Sequence, residues 1–128
     1  MNRPGANVDP VEHAAGMVRA VARWRMGERL TANQAEALLQ TWDAGSISAA
    51  DLSRGIGITT ASMSRLLAVL EVDGWVVRAP DPRDARRAFV QPSKQLALAV
   101  ERLRRELEQA QQLPLTRPGE AEQSSPHL

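Results

Sequence analysis

A chain of 128 residues, 43% hydrophobic and 24% charged, has the length and balance of one folded domain, not of two domains or a disordered polymer. Sixteen Lys+Arg against fifteen Asp+Glu leave a net charge of +1, which neither announces nor excludes a polyanionic partner. Cysteine is absent and the only histidines, His13 and His127, lie near the termini, which sets aside disulfides, thiolate chemistry and a His-based zinc or Ser-His-Asp centre.

No enzymatic activity, metal or cofactor is therefore expected. Residues 1–9 are polar and bear proline, with no apolar signal core behind them, and read as a flexible N-terminus. No run approaches the ~20 apolar residues of a membrane helix, so a cytoplasmic protein without a membrane partner is expected.

From Pro10 onward, Val11, Ala14, Val18 and Val21 recur at three- and four-residue steps, with Met17 and Trp24 beside them, which predicts a helix over 10–28. His13 lies on that helix and reads as a solvated or satisfied residue. Leu30-Thr31-Ala32-Asn33-Gln34 is a helix start, with Thr31 as N-cap and Gln34 as the reciprocal partner of a capping box. Ala35, Leu38, Leu39 and Trp42 follow on one face, and Asp43-Ala44-Gly45 ends the segment.

Ser46-Ile47 reads as a link into Ser48-Ala49-Ala50-Asp51, an acidic variant of the capping box. The helix it opens is short, because Gly55-Ile56-Gly57 breaks it. Thr59 caps a further helix to Val72, with Met63, Leu66, Leu67 and Leu70 as its buried face and Asp73-Gly74 as its close. A short helix, a glycine-bearing turn and a second amphipathic helix outline a helix-turn-helix.

Trp75-Val76-Val77-Arg78 and Ala88-Phe89-Val90 are β-prone on either side of a turn at 80–84, a hairpin in the position of a wing. Ser93 caps a last helix in which Leu96, Val100, Leu103, Leu107 and Ala110 repeat at 4, 3, 4, 3 spacing, flanked by Glu101–Arg105, Arg102–Glu106 and Arg104–Glu108 pairs. This heptad seam reads as packing on its own domain and also joining two copies. From 114 to 128 periodicity ceases and a disordered tail is expected. The fold class is mainly α with a small β-hairpin wing: a winged helix-turn-helix domain over 10–113, with dimerisation helices at 10–28 and 94–112. Dimer contacts are expected at Val11, Val18, Leu96, Val100, Leu103 and Leu107.

Residues 48–93 carry six arginines and five acids, the whole of the net charge. Lys94 is the only lysine. Arginine's planar fork suits phosphate and guanine recognition, although a GC-rich genome explains the ratio equally well. A helix over 60–72 is long enough to lie in a major groove about 12 Å wide. Thr59, Thr60, Ser62, Ser64 and Arg65 near its start are small or polar, apart from one guanidinium. Such a face lets the helix approach base edges, and its free N–H groups favour a phosphate. Arg65 suits either a guanine or a phosphate, and Arg54, ending the first short helix, is placed for a phosphate. The bland alternatives are a solvated helix end and surface ion pairs worth ~0–1 kcal/mol.

Together these residues resemble the MarR family of winged helix-turn-helix transcriptional regulators. The phrase Leu-Thr-x-x-Gln before a Leu-rich helix is present from Leu30 to Leu39. The recognition-helix phrase is present as Ser64-Arg65, Leu70-Glu71 and Gly74-Trp75-Val76-Val77-Arg78, and the wing phrase as Asp84-Ala85-Arg86-Arg87-Ala88-Phe89-Val90. Ala85 departs from the more usual arginine, Pro92-Ser93 replaces Leu-Thr, and one helix follows the wing where the family usually has two. The resemblance thus implies a short member lacking the last dimerisation helix.

It also implies a dimer on a pseudo-palindromic operator of double-stranded DNA, acting as a repressor. Asp84 would hold an arginine while a wing arginine, with Arg86 first, then Arg83 and Arg87, reaches the minor groove or its phosphates. Trp24 and Trp42 each have a packing explanation; the resemblance offers instead a pocket for a small aromatic effector. A winged helix serving as a protein-interaction module without specific DNA binding is the rival reading.

Overall fold

The computed structural model describes residues 9–112. The expectations for residues 1–8 and for the tail at 114–128 lie outside them. Among the described residues five helices and three strands occur in the order α1 (Pro10–Gly27), α2 (Ala32–Ala44), β1 (Ile47–Ser48), α3 (Ala49–Ile56), α4 (Thr60–Val72), β2 (Val76–Asp81), β3 (Asp84–Pro92) and α5 (Lys94–Gln112). The fold is mainly helical with a small antiparallel sheet. Among the described residues no single helix is long and apolar enough to cross a membrane.

Local chemistry sets the boundaries. Thr31 and Gln34 make the reciprocal capping box: the Gln34 N–H donates to Thr31 Oγ1 at 3.1 Å, and the Thr31 N–H to Gln34 Oε1 at 2.9 Å. Ser48 accepts from the Asp51 N–H at 3.0 Å, but the Asp51 carboxylate pairs with Arg54, so only half of the expected box forms there. Gly55 does not break α3. It lies inside the helix, where the Gln40 side chain occupies the place of a Cβ and donates to the Gly55 carbonyl at 3.4 Å. The terminator is Gly57, left-handed at φ 81°.

Two helices end in Schellman turns. After α4, Trp75 N–H reaches Leu70 O at 2.8 Å and Gly74 N–H reaches Glu71 O at 3.1 Å, with Gly74 at φ 84°. After α1 the same bonds run from Leu30 N–H to Arg25 O at 2.9 Å and from Arg29 N–H to Met26 O at 3.2 Å, with Arg29 in the left-handed position at φ 62°. A side chain there meets a steric penalty that glycine escapes. Arg29→Gly is accordingly expected to stabilise the fold by about 0.5–1 kcal/mol, read as a raised thermal midpoint.

The chain divides into two compact units. The larger, Arg25–Arg102, holds α2, α3, α4, the sheet and the adjoining ends of α1 and α5. Its core includes Leu30, Leu38, Leu52, Met63, Leu67, Leu70, Trp75, Val76, Val90 and Leu96, all buried. The sheet order is β1-β3-β2. The Ser46-Ile47 link thus continues into a strand, with Ile47 opposite Val90 and Ser48 opposite Phe89. Two residues are too short a run to announce a strand by alternation. Ser93 closes the base of the hairpin: its hydroxyl lies 2.6 Å from Gly74 O and 2.8 Å from Trp75 O, and accepts from the Leu96 N–H at 3.2 Å. Arg102 grips Glu28 through two bonds of 2.6 and 3.1 Å, which hold the guanidinium's pKa above its ordinary value.

The smaller unit contains the rest of α1 and α5 among the described residues. In it α1 buries Gly16, Ala20 and Trp24, not the stripe through Val11, Ala14 and Val18, which is exposed. Leu103 is buried, and Arg23 pairs with Glu106 at 3.3 Å. The expected Arg102–Glu106 pair is therefore not made, because each residue has a partner elsewhere in sequence.

Candidate nucleic-acid interface

The helix-turn-helix is built by α3, residues 57–59 and α4, with a bend of 110° between the helices. Ser53 locks the turn. Its carbonyl accepts from Gly57 N–H at 2.9 Å and Ile58 N–H at 3.2 Å, while its buried hydroxyl donates to Ile58 O at 2.6 Å. Thr59 then caps α4, accepting from Ser62 N–H at 3.1 Å. Met63, Leu67 and Leu70 face the core, so Thr60, Ala61, Ser64, Arg65 and Ala68 face outward.

Of Thr59, Thr60, Ser62, Ser64 and Arg65 at the start of α4, Thr60, Ser64 and Arg65 stand on this exposed face. Thr59 is exposed but engaged as the cap, and Ser62 is half-buried beside it. Ala61 and Ala68 were not singled out. Their methyl groups complete the face, and helical spacing from Arg65 would have found them.

The wing runs longer than the β-prone runs suggested. Pairing of β2 with β3 extends from Val76–Pro92 through Pro80–Ala88 to Asp81–Asp84, so the turn itself is Pro82-Arg83. The register shifts between Pro80 and Asp81, leaving positions 85–87 of β3 without a partner on β2. Arg86 and Arg87 sit in that irregularity, and both are exposed together with Arg83. Asp84 accepts from Arg86 N–H at 3.0 Å and lies 3.5 Å from its Nε. Asp81 does the same for Arg83 N–H at 2.9 Å. The supporting role of Asp81 went unread, although the repeated Asp-x-Arg of 81–83 and 84–86 signals it.

The electrostatics are those of a surface rich in unneutralised guanidinium. Arg65, Arg83 and Arg87 form no ion pair among the described residues, and the Arg86 side chain, 94% exposed, is held only loosely by Asp84. Arg54 is exposed but paired with Asp51 on its own helix. Arg78 leans from β2 toward α4, with Nε 3.5 Å from Glu71.

The remaining residues divide between core and surface. Leu96, Val100 and Leu103 are buried within a single chain and Leu107 is half-buried, so the heptad seam is largely consumed internally. These three fill the internal part of the seam's expected double role, and each keeps little accessible surface. Val11 and Val18, at 74% and 67% exposure, remain open. Trp24 is buried, as packing predicts, and Trp42 is 37% exposed.

Residues 30–87 match the family model described as MarR family. No curated protein matches the sequence. Among solved structures, a MepR mutant from S. aureus bound to an oligodeoxyribonucleotide is similar at a TM-score of 0.68 and 22% identity, over 86% of this chain and 83% of that one. A MarR mutant from E. coli complexed with operator DNA gives 0.65 and 23% identity, over 87% and 81%. NadR in complex with 4-hydroxyphenylacetate gives 0.66 and 19%, over 85% and 77%. These likenesses carry the winged-helix fold.

Proposed function

We propose, from the match of residues 30–87 to the model described as MarR family, that the chain is a sequence-specific, DNA-binding transcriptional regulator. The observation that carries this reading is the placement of Arg65, Arg83, Arg86 and Arg87. All four are exposed on the outward faces of α4 and the wing, and none is firmly neutralised by an acid of the described chain. Such a surface attracts phosphate and offers guanidinium forks to base edges. α4 enters the major groove with Thr60, Ser64 and Arg65 toward the bases. The wing arginines lie along the adjacent minor groove, supported by Asp84 and Asp81. Arg54 is a secondary phosphate contact that must first give up Asp51.

The protein acts as a homodimer on a pseudo-palindromic operator, with half-sites about one helical turn, ~10 bp, apart. It represses by occupying a promoter. The exposed stripe of Val11 and Val18 supplies part of the dimer contact. An aromatic effector of the kind seen in NadR is consistent with the half-exposed Trp42, and would act by favouring a dimer whose recognition helices no longer match the half-sites.

Selection of genomic fragments by the purified protein at near-physiological salt tests the reading. Enrichment of a two-fold symmetric motif is expected. Fragments without a shared motif would leave only phosphate-driven binding, and recovery of none would favour a protein-interaction module. Val18→Asp tests the dimer: sedimentation should shift toward monomer while the thermal midpoint of the monomer stays put, because Val18 is exposed. Leu103→Asp is unsuitable for this purpose, since a charge there would enter the chain's own core.

A further inference from the structure

We infer that Ser62 is a positioning residue which holds the Arg65 guanidinium against the first turn of α4 before DNA arrives, an inference that rests on the DNA-binding reading above. Two hydrogen bonds converge on the Ser62 hydroxyl oxygen: Thr59 Oγ1 donates to it at 3.0 Å, and Arg65 Nη2 at 3.4 Å. The Ser62 N–H in turn donates to Thr59 Oγ1 at 3.1 Å, so cap and serine hold each other. A hydroxyl engaged by the helix cap is a fixed acceptor, and it draws the guanidinium back along the helix toward its N-terminus.

The pose is unusual on electrostatic grounds. The N-terminus is the positive end of the helix dipole and repels a cation. No acid stands in the first turn of α4, and Arg65 forms no ion pair among the described residues. An anion or an electron-rich base edge that approached this turn would meet the guanidinium together with the free N–H groups of the helix start. Arginine has many rotamers to lose on binding, and fixing it in the free protein removes part of that cost. Ser62 thereby acts through Arg65 and does not itself touch DNA.

The test measures affinity for the selected operator with the wild type, Ser62→Ala, Arg65→Ala and the double variant. Ser62→Ala keeps the backbone bond to Thr59, and its thermal midpoint should not fall. Its Kd should rise about three- to tenfold, the worth of one modest hydrogen bond, and Arg65→Ala should cost less in that background than in the wild type. Ser62→Thr, which restores the hydroxyl, should recover affinity. Loss of discrimination at one base pair assigns Arg65 to a guanine, and uniform weakening with a smaller salt slope assigns it to a phosphate; either pattern supports the positioning role. An unchanged Kd in Ser62→Ala, or costs that simply add, would overturn it. Absence of operator binding by the wild type would overturn the DNA-binding reading instead.

Discussion

Truncating Leu67 to alanine is expected to cost the folded chain about 2–5 kcal/mol, the range for a fully buried leucine whose cavity cannot collapse. Leu67 has no exposed surface and lies on the side of α4 opposite Arg65, between the buried Met63 and Leu70. Domains of this size have only ~5–15 kcal/mol in reserve, so the loss removes a large share of the stability. In urea unfolding the midpoint should drop with little change in slope, because the surface exposed on unfolding is nearly the same. The residual folded protein should bind operator with close to wild-type affinity, since no group facing outward has changed. An unchanged midpoint would mean that α4 is not seated on this core.

The converse result is expected from Arg65→Ala combined with Arg86→Ala. Both side chains are exposed and neither is anchored in the core, so the unfolding free energy should change by less than about 0.5 kcal/mol. Specific affinity should fall by roughly two orders of magnitude or more, taking ~1–3 kcal/mol for each guanidinium contact. The dependence of log K on log salt should become shallower by ~1 for each arginine that faces a phosphate. The two sites lie on different elements and share no partner, so their costs should be close to additive. Retention of full affinity by the double variant would remove these residues from the interface. Together the Leu67 and arginine variants separate the scaffold from the surface it presents.

The contrast between those two experiments reflects how the site is made. Thr59, Gly57 and Ser53 form the turn by bonds that span five residues or fewer, and such motifs carry their own residue signatures. The exposed Arg65 follows from the cap and the helical period once Met63, Leu67 and Leu70 are taken as the inner face. The role of Ser62 was less legible. Periodicity groups it with the polar face, whereas the bonds from Thr59 and Arg65 engage it locally. Asp81 is signalled only by the repeat of Asp-x-Arg at 81–83 and 84–86, and the register shift shows where the strands part around it.

Much of what neighbours a few residues away govern was legible in the residues alone. That covers the helix starts at Thr31, Ser48, Thr59 and Ser93, the stops at Gly45, Gly57 and Gly74, and the succession of turn, helix and hairpin. Which apolar stripe each helix spends on its own fold was settled by long-range packing. In α1 the chain buries Gly16, Ala20 and Trp24 and leaves Val11 and Val18 to solvent; in α5 it buries Leu96, Val100 and Leu103, which looked equally fit to join two copies. Tertiary pairing likewise turned Ile47 and Ser48 into a strand and sent Arg102 to Glu28 in place of Glu106. The physical reason is that burial and pairing depend on partners distant in sequence. Two stripes with the same period and similar hydrophobicity are degenerate until the rest of the chain covers one of them.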